Sequence, residues 1–262
     1  MKLPLTLCAI DHAAHALTRL ALQRCLQHLQ FADVLILSDR EILPGARHVR
    51  TQASNTLQAT RLLWHELPKH IRTDQYLYMQ WDSWIINPDA WSDEFLQYDY
   101  IGAPWPERYL WPEDCNKSYN VGNGGFSIRS MALAEAVLQS NLKFYSPEDH
   151  ALCVDYRRML QWRGLTWAPY AVAERFSAEL DWPAFTPFGF HGAFHFAGVL
   201  TPDEYDTMVA LASPYVQQAG GWKQFHQHLD LSRRGVPRPR RSLGPLKPGW
   251  KERLGYPHPI GD

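Results

Sequence analysis

Three short apolar runs, each closed by an aspartate within three residues, alternate with segments of helical spacing in the first third of the chain. Residues 3–10 end at Asp11, residues 34–37 at Ser38-Asp39, and residues 76–79 run into Gln80-Trp81-Asp82. Between them, residues 13–29 have helical spacing, with Leu17, Leu20, Leu22, Leu26 and Leu29 available for a core face, and residues 54–67 read as a helix stopped by Pro68. Strand, helix, strand, helix, strand is the layout of a mostly parallel central sheet flanked by helices. Such sheets bind ligands beyond the carboxyl ends of their strands, where Asp11, Asp39 and Asp82 fall.

The second half is less regular. Residues 98–111 form a Pro/Trp-rich loop, residues 131–138 and 148–162 read as helices, and residues 188–196 form a Gly/Phe/His loop. Residues 203–215 and 222–229 are short predicted helices, with His226 and His228 placed on an exposed surface. From Leu231 the composition shifts to Arg, Pro and Gly, with eight Lys/Arg against two acids. The expected organisation is one domain over residues 1–230 and an extended, solvated basic tail over 231–262.

Charge and cysteine usage exclude several classes. A net charge of -1 gives no global pull toward nucleic acid. Cys8, Cys25, Cys115 and Cys153 are scattered without a CxxC pair, which argues against a zinc ribbon and fits a reducing cytoplasm. No apolar run reaches the ~20 residues of a transmembrane segment. The eleven Trp lie largely in Pro- and Gly-rich stretches, where an indole serves equally as core or as a platform for a sugar.

Four segments carry chemistry. Asp82, at a strand end, is a hard oxygen ligand suited to Mn2+ or Mg2+, and a turn-forming Asp is the competing reading. Val121-Gly122-Asn123-Gly124-Gly125 permits positive φ and close approach of a ligand, though it lacks the Lys of a P-loop. Ser146-Pro147-Glu148-Asp149 reads as a helix start with Ser146 as N-cap, and Asp149 there also suits a general base. A second Pro-Glu-Asp triplet at residues 112–114 starts no helix. In Phe188-Gly189-Phe190-His191-Gly192, the histidine suits a metal or phosphate contact. His191 and His195 are four apart but lack the Glu of a zincin motif.

These segments, the glycine-rich one running on through Phe126-Ser127-Ile128-Arg129-Ser130, with Ala9-Ile10-Asp11, Leu37-Ser38-Asp39, Gln80-Trp81-Asp82-Ser83-Trp84 and Tyr98-Asp99-Tyr100-Ile101-Gly102-Ala103-Pro104-Trp105, resemble a domain family of unknown function grouped with bacterial and viral glycosyltransferases of the GT-A type. The resemblance spans about residues 5–195 and implies a GT-A-like, Rossmann-like fold. It implies a nucleotide-sugar donor, a glycan or other hydroxyl acceptor, and a divalent cation held by Asp82 and His191. Gln80 then replaces the first acid of an Asp-x-Asp motif. It further implies Asp149 as the base of an inverting transfer and Glu148 as an acceptor-hydroxyl contact. Asp11, Asp39, Arg61, Gln80, Asp82, Gly124 and Gly125 would meet the donor, and Trp105, Asn123 and Trp182 the acceptor. A retaining enzyme, a non-catalytic sugar- or nucleotide-binding relative and a nucleotidyltransferase are the alternatives. The last expects a Gly-rich loop and Lys where this chain has Asp11-His12-Ala13-Ala14.

Overall fold

The computed structural model describes residues 1–107, 109, 111, 116–143 and 147–218. The expected helix at 222–229, His226, His228, the boundary at 230, the basic tail, Ser146, Cys115 and the triplet at 112–114 lie outside the described residues.

Strand β1 (Lys2–Ile10), helix α1 (His15–His28), strands β2 (Gln30–Ser38) and β3 (Arg47–Arg50), helix α2 (Thr56–Arg61) and strand β4 (Gln75–Met79) form the first half. The helix expected over 54–67 is shorter than its pattern. Asn55 caps it through Gln58 N, and after Arg61 it widens into a π turn (Leu62–Glu66) and a 3-10 turn (Leu67–His70). Pro68 sits in that last turn rather than after the helix. Strand β3, Arg-His-Val-Arg, has no apolar run and was not expected; it pairs with β2 through its backbone.

Strand β5 (Ser83–Ile85), β6 (Tyr100–Ile101) and β7 (Phe126–Ser130) precede helices α3 (Met131–Gln139), α4 (Glu148–His150) and α5 (Arg157–Trp162). The single helix expected over 148–162 is broken by a π turn at Ala151–Asp155. Helix α6 (Tyr170–Phe176), strands β8 (Ser177–Ala178) and β9 (Gly189–His191), and helices α7 (Phe196–Val199) and α8 (Pro202–Gln218) complete the described chain.

The main sheet has the order β3-β2-β1-β4-β7-β6, with β3, β2, β1 and β4 parallel and β7 antiparallel to both neighbours. It is buried on both faces, as a parallel sheet covered by helices must be. Alternation along each strand sends Leu5, Leu7, Leu77, Met79, Phe126 and Ile128 to one core with α1. It sends Cys8, Leu35, Leu37, Tyr76 and Tyr78 to a second core with Trp64 and Leu133. A smaller sheet, β5-β9-β8, stands beyond the carboxyl end of β4, with β5 antiparallel and β8 parallel to β9. Part of the loop expected at 188–196 is therefore strand, and that strand ends at His191.

Among the described residues, no helix is long and apolar enough to cross a membrane. The described cysteines, Cys8, Cys25 and Cys153, are free and buried.

Candidate active site

The short sheet explains how distant residues meet. β5 runs antiparallel to β9 with Ser83 opposite His191, so Asp82, one residue before, lies beside the imidazole. β8 runs parallel to β9 with Ala178 opposite Phe190, and the next residue along, Glu179, meets His191 from the other side. Asp82 Oδ1 lies 3.5 Å from His191 Nε2, Gln80 Oε1 lies 3.3 Å from the same nitrogen, and Glu179 Oε1 lies 3.1 Å from Nδ1. Burial alone lowers the pKa of His191, but the Asp82 and Glu179 carboxylates outweigh it and hold the ring well above its ordinary range.

Asn123 Nδ2 stands 2.9 Å from His191 Nδ1, the atom that Glu179 also reaches. The amide donates to a bare Nδ1, or Nδ1–H donates to Glu179 and the amide is turned round. A charged ring selects the second arrangement.

The glycine-rich turn works differently from its sequence reading. Its left-handed residue is Asn123, at φ 59°, and none of Gly122, Gly124 and Gly125 has positive φ. The glycines admit the protein's own side chains. A Cβ on Gly122 would lie 2.1 Å from the Trp105 ring, on Gly124 2.2 Å from Glu148 Oε1, and on Gly125 2.2 Å from His191 Nε2. Gly124 and Gly125 thus seat Glu148 and His191. Gly125→Ala should displace the imidazole and destabilise the fold by about 1–3 kcal/mol, as overpacking does. Thermal melting with and without nucleotide and Mn2+ checks this, and donor binding equal to that of the parent would show that His191 is not needed there.

Asp149 reaches the same turn. Its Oδ2 accepts Gly124 N at 2.9 Å and its Oδ1 accepts His150 N at 2.8 Å. Pro147, expected inside the helix, is its N-cap and makes no side-chain cap. Burial, then the charges of Glu148 and Glu179, raise the Asp149 pKa to about 6 against the pull of its two N–H donors. Asp149 and His191 therefore stand on successive residues of one turn, a carboxylate near neutrality beside a polar cluster.

Glu148 is not free to contact an acceptor. Both of its oxygens receive Arg129, at 2.5 and 3.1 Å, and Oε2 also accepts Trp64 Nε1 at 3.1 Å. Arg129, 2 % exposed, lies at the end of the glycine-rich motif, which gave it no role. It lies over the rings of Tyr78 and Tyr100 and donates to Ser127 Oγ and Gly124 O.

At the carboxyl end of β1, Asp11 Oδ1 accepts Ala13 N and Ala14 N, both at 2.8 Å, while its Oδ2 is buried without a hydrogen-bond partner. Asp39 is paired with Arg40 and with His15 Nε2 at 2.7 Å, and these, Arg40 first, bring its pKa to about 2. Arg61 is exposed at the end of α2 and forms no hydrogen bond or ion pair with Asp82, Asp149 or His191.

The acceptor assignments separate. Trp105 is 3 % exposed, stacked on Tyr109 at 5.0 Å and set against Gly122, so its ring is core and offers no face to a sugar. Asn123 is 1 % exposed, with its amide committed to His191 and Phe126 N. Trp182 is half-buried against His195 and lines a cleft of about 620 Å³ with Arg24, Gln27, Trp84 and Val199. None of Asp82, Asp149, Glu179 and His191 lines that cleft, so its size does not make it the reaction centre.

A divalent cation is tested by the donor set. Gln80 Oε1 and Asp82 Oδ1 lie 3.3 and 3.5 Å from His191 Nε2, and Asp82 Oδ1 is buried with no hydrogen bond. Cis ligands of a small cation span a similar distance, about 3 Å, and amide oxygen, carboxylate and imidazole all suit Mn2+. Among the described residues no group of three His, Cys, Asp or Glu is arranged to hold a metal; the third donor here is the Gln80 amide. The residues fit the cation.

These features define a mixed α/β protein with an acid- and histidine-lined site beyond the carboxyl ends of its parallel strands. Residues 41–191 match the model of the family described as "Protein of unknown function (DUF5672)", and the chain belongs to that family. Comparison with curated protein sequences finds no match. Among solved structures, a galactosyltransferase LgtC in complex with donor and acceptor sugar analogs is 13% identical, with a TM-score of 0.46 over 79% of this chain and 95% of that one. A glycosyltransferase involved in glycosylation of the major capsid of PBCV-1 is 13% identical, with a TM-score of 0.42 over 79% and 98%. GlyE of Streptococcus pneumoniae TIGR4 is 11% identical, with a TM-score of 0.41 over 76% and 55%. At these values the residues' own chemistry decides the reading.

Proposed function

We propose that this protein is a glycosyltransferase that moves a sugar from a nucleotide-sugar donor to a hydroxyl of a glycan or similar acceptor, with inversion. The observation that carries this is Asp149, a carboxylate of pKa about 6 held on the glycine turn next to the Gln80–Asp82–His191 donor set. A base of that pKa is ionised at neutral pH and still accepts a proton. Asp149 takes the acceptor's hydroxyl proton, the freed oxygen attacks the anomeric carbon, and the bond to the nucleotide diphosphate breaks.

Gln80, Asp82 and His191 would hold a divalent cation, Mn2+ or Mg2+, which when bound offsets charge on the departing diphosphate. Asp11 Oδ2, buried and without a hydrogen-bond partner, faces the nucleoside in this reading, with Asp39 at the neighbouring strand end. Trp182 offers its ring to an acceptor sugar. We place the reaction in the cytoplasm, where the free thiols of Cys8, Cys25 and Cys153 stay reduced.

Gln80, where an Asp-x-Asp motif has an acid, favours a second reading: a sugar- or nucleotide-binding protein without catalysis. Thermal melting in the presence of nucleoside diphosphates and nucleotide sugars, with and without Mn2+, tests the donor site. A ligand at 100-fold its Kd should add about 2.7 kcal/mol, seen as a rise in Tm that requires the metal and is lost in Asp82→Asn. No shift with any nucleotide would remove the donor site. A shift without detectable transfer to any acceptor would support the second reading.

A further inference from the structure

We infer that Glu179 is a positioning residue: it accepts the Nδ1–H of His191 and so fixes the ring with Nε2 directed at Gln80 and Asp82. This rests on the cation reading above and adds to it the group that orients the ligand. No sequence motif marks Glu179, and it lies 12 residues before the histidine it touches.

Three observations place it there. Its side chain is 15% exposed, as buried as that of Asp82, and Oε1 stands 3.1 Å from Nδ1. Its second oxygen, Oε2, is buried with no hydrogen-bond partner, so the side chain's hydrogen bond is the one Oε1 makes with the imidazole. Its backbone is held from both sides. β8 carries it in parallel register with β9, and His195, 1 % exposed, bonds its carbonyl through Nε2.

An imidazole has two nitrogens, and the hydrogen bond made by one decides what the other can do. With Nδ1–H given to Glu179, Nε2 is the nitrogen that gives up its proton when the ring acts as a ligand. That is the arrangement in which an outer carboxylate orients a metal-binding histidine and raises its basicity. Without Glu179, Asn123 can donate to a bare Nδ1, the proton moves to Nε2, and the ligand lone pair is lost.

The test is Mn2+ binding to the full-length, nucleotide-free protein, followed by the electron paramagnetic resonance of free Mn2+ and by calorimetry. Glu179→Gln should weaken Mn2+ binding 10–100-fold, leave the melting temperature in EDTA close to that of the parent, and be partly rescued by Glu179→Asp. Equal affinity in parent and Glu179→Gln overturns the inference while the cation site stands. If the parent itself binds no Mn2+, the cation reading falls and takes the inference with it, whereas transfer activity in EDTA would show that the glycosyltransferase reading survives. If Glu179→Gln does not fold, Glu179→Asp decides: affinity between parent and none supports the role, and parental affinity overturns it.

Discussion

Asp149→Asn is expected to slow transfer by about 10²–10⁴-fold, the range a general base contributes, with donor binding nearly unchanged. Its effect on stability should change sign with pH, because the fold raises the pKa of the carboxyl that the variant removes. In the unfolded chain the carboxyl ionises near 3.8 and in the fold near 6. Below the lower value both states are protonated and nothing is lost. Between them the unfolded chain releases a proton that the fold retains, so stability falls as pH rises. Above about 6 the loss is complete, on the order of 3 kcal/mol. Asn has no such ionisation, but it offers one oxygen where Asp149 receives both Gly124 N and His150 N. That missing acceptor costs about 1–3 kcal/mol at every pH. Asp149→Asn should thus melt below the parent at pH 4.5 and at or above it at pH 8. In the parent, kcat/KM should fall on the acid side with a midpoint near pH 6. An Asn variant that retains parental kcat, or a profile flat through pH 6, would remove Asp149 from the reaction.

The legible parts of the molecule are those in which one residue type repeats at a fixed spacing. β1, β2 and β4 announce themselves by apolar runs, α1 by its leucines, and Asp11, Asp39 and Asp82 by closing those runs. β3 does not, because Arg47–Arg50 is polar and is a strand only through its neighbour's backbone. The breaks into π turns at Leu62–Glu66 and Ala151–Asp155 have no spacing signature, since apolar residues continue through both. In the site, Asp82, Asp149 and His191 were readable because each sits in a motif. Glu179 was not, and Arg129, though it sits in the glycine-rich motif, carried no assigned role. One is brought in by a strand of two residues, and the other looks, in Phe-Ser-Ile-Arg-Ser, like the exposed position of an alternating strand. Trp105 and Asn123 were misplaced for a related reason. A Trp or an Asn beside glycines reads as surface, and only packing shows that glycine's missing side chain is the room another residue fills.

Arg129→Met should cost about 3–5 kcal/mol, because it strands Glu148 as an uncompensated buried charge. The arginine side chain is 3% exposed and that of Glu148 12%, and two hydrogen bonds join them. The aromatic rings of Tyr78 and Tyr100 help the cation in a face of the sheet that is otherwise apolar. Lys keeps the charge but not the fork, so Arg129→Lys should recover only part of the loss. Arg129→Met with Glu148→Leu removes both charges together and should approach parental stability, since replacing a buried pair by apolar groups is often neutral. Denaturant unfolding of the parent, Arg129→Met, Glu148→Leu and the double variant gives the coupling directly. Transfer should not return with stability. Arg129 also donates to Gly124 O, and Glu148 is the residue before Asp149, so the pair ties the turn and the helix start that together hold the base. A stable but slow double variant is therefore the expected result. An Arg129→Met protein that unfolds at the parental denaturant concentration would show that the pair does not hold the site, and the placement of Asp149 would need another cause.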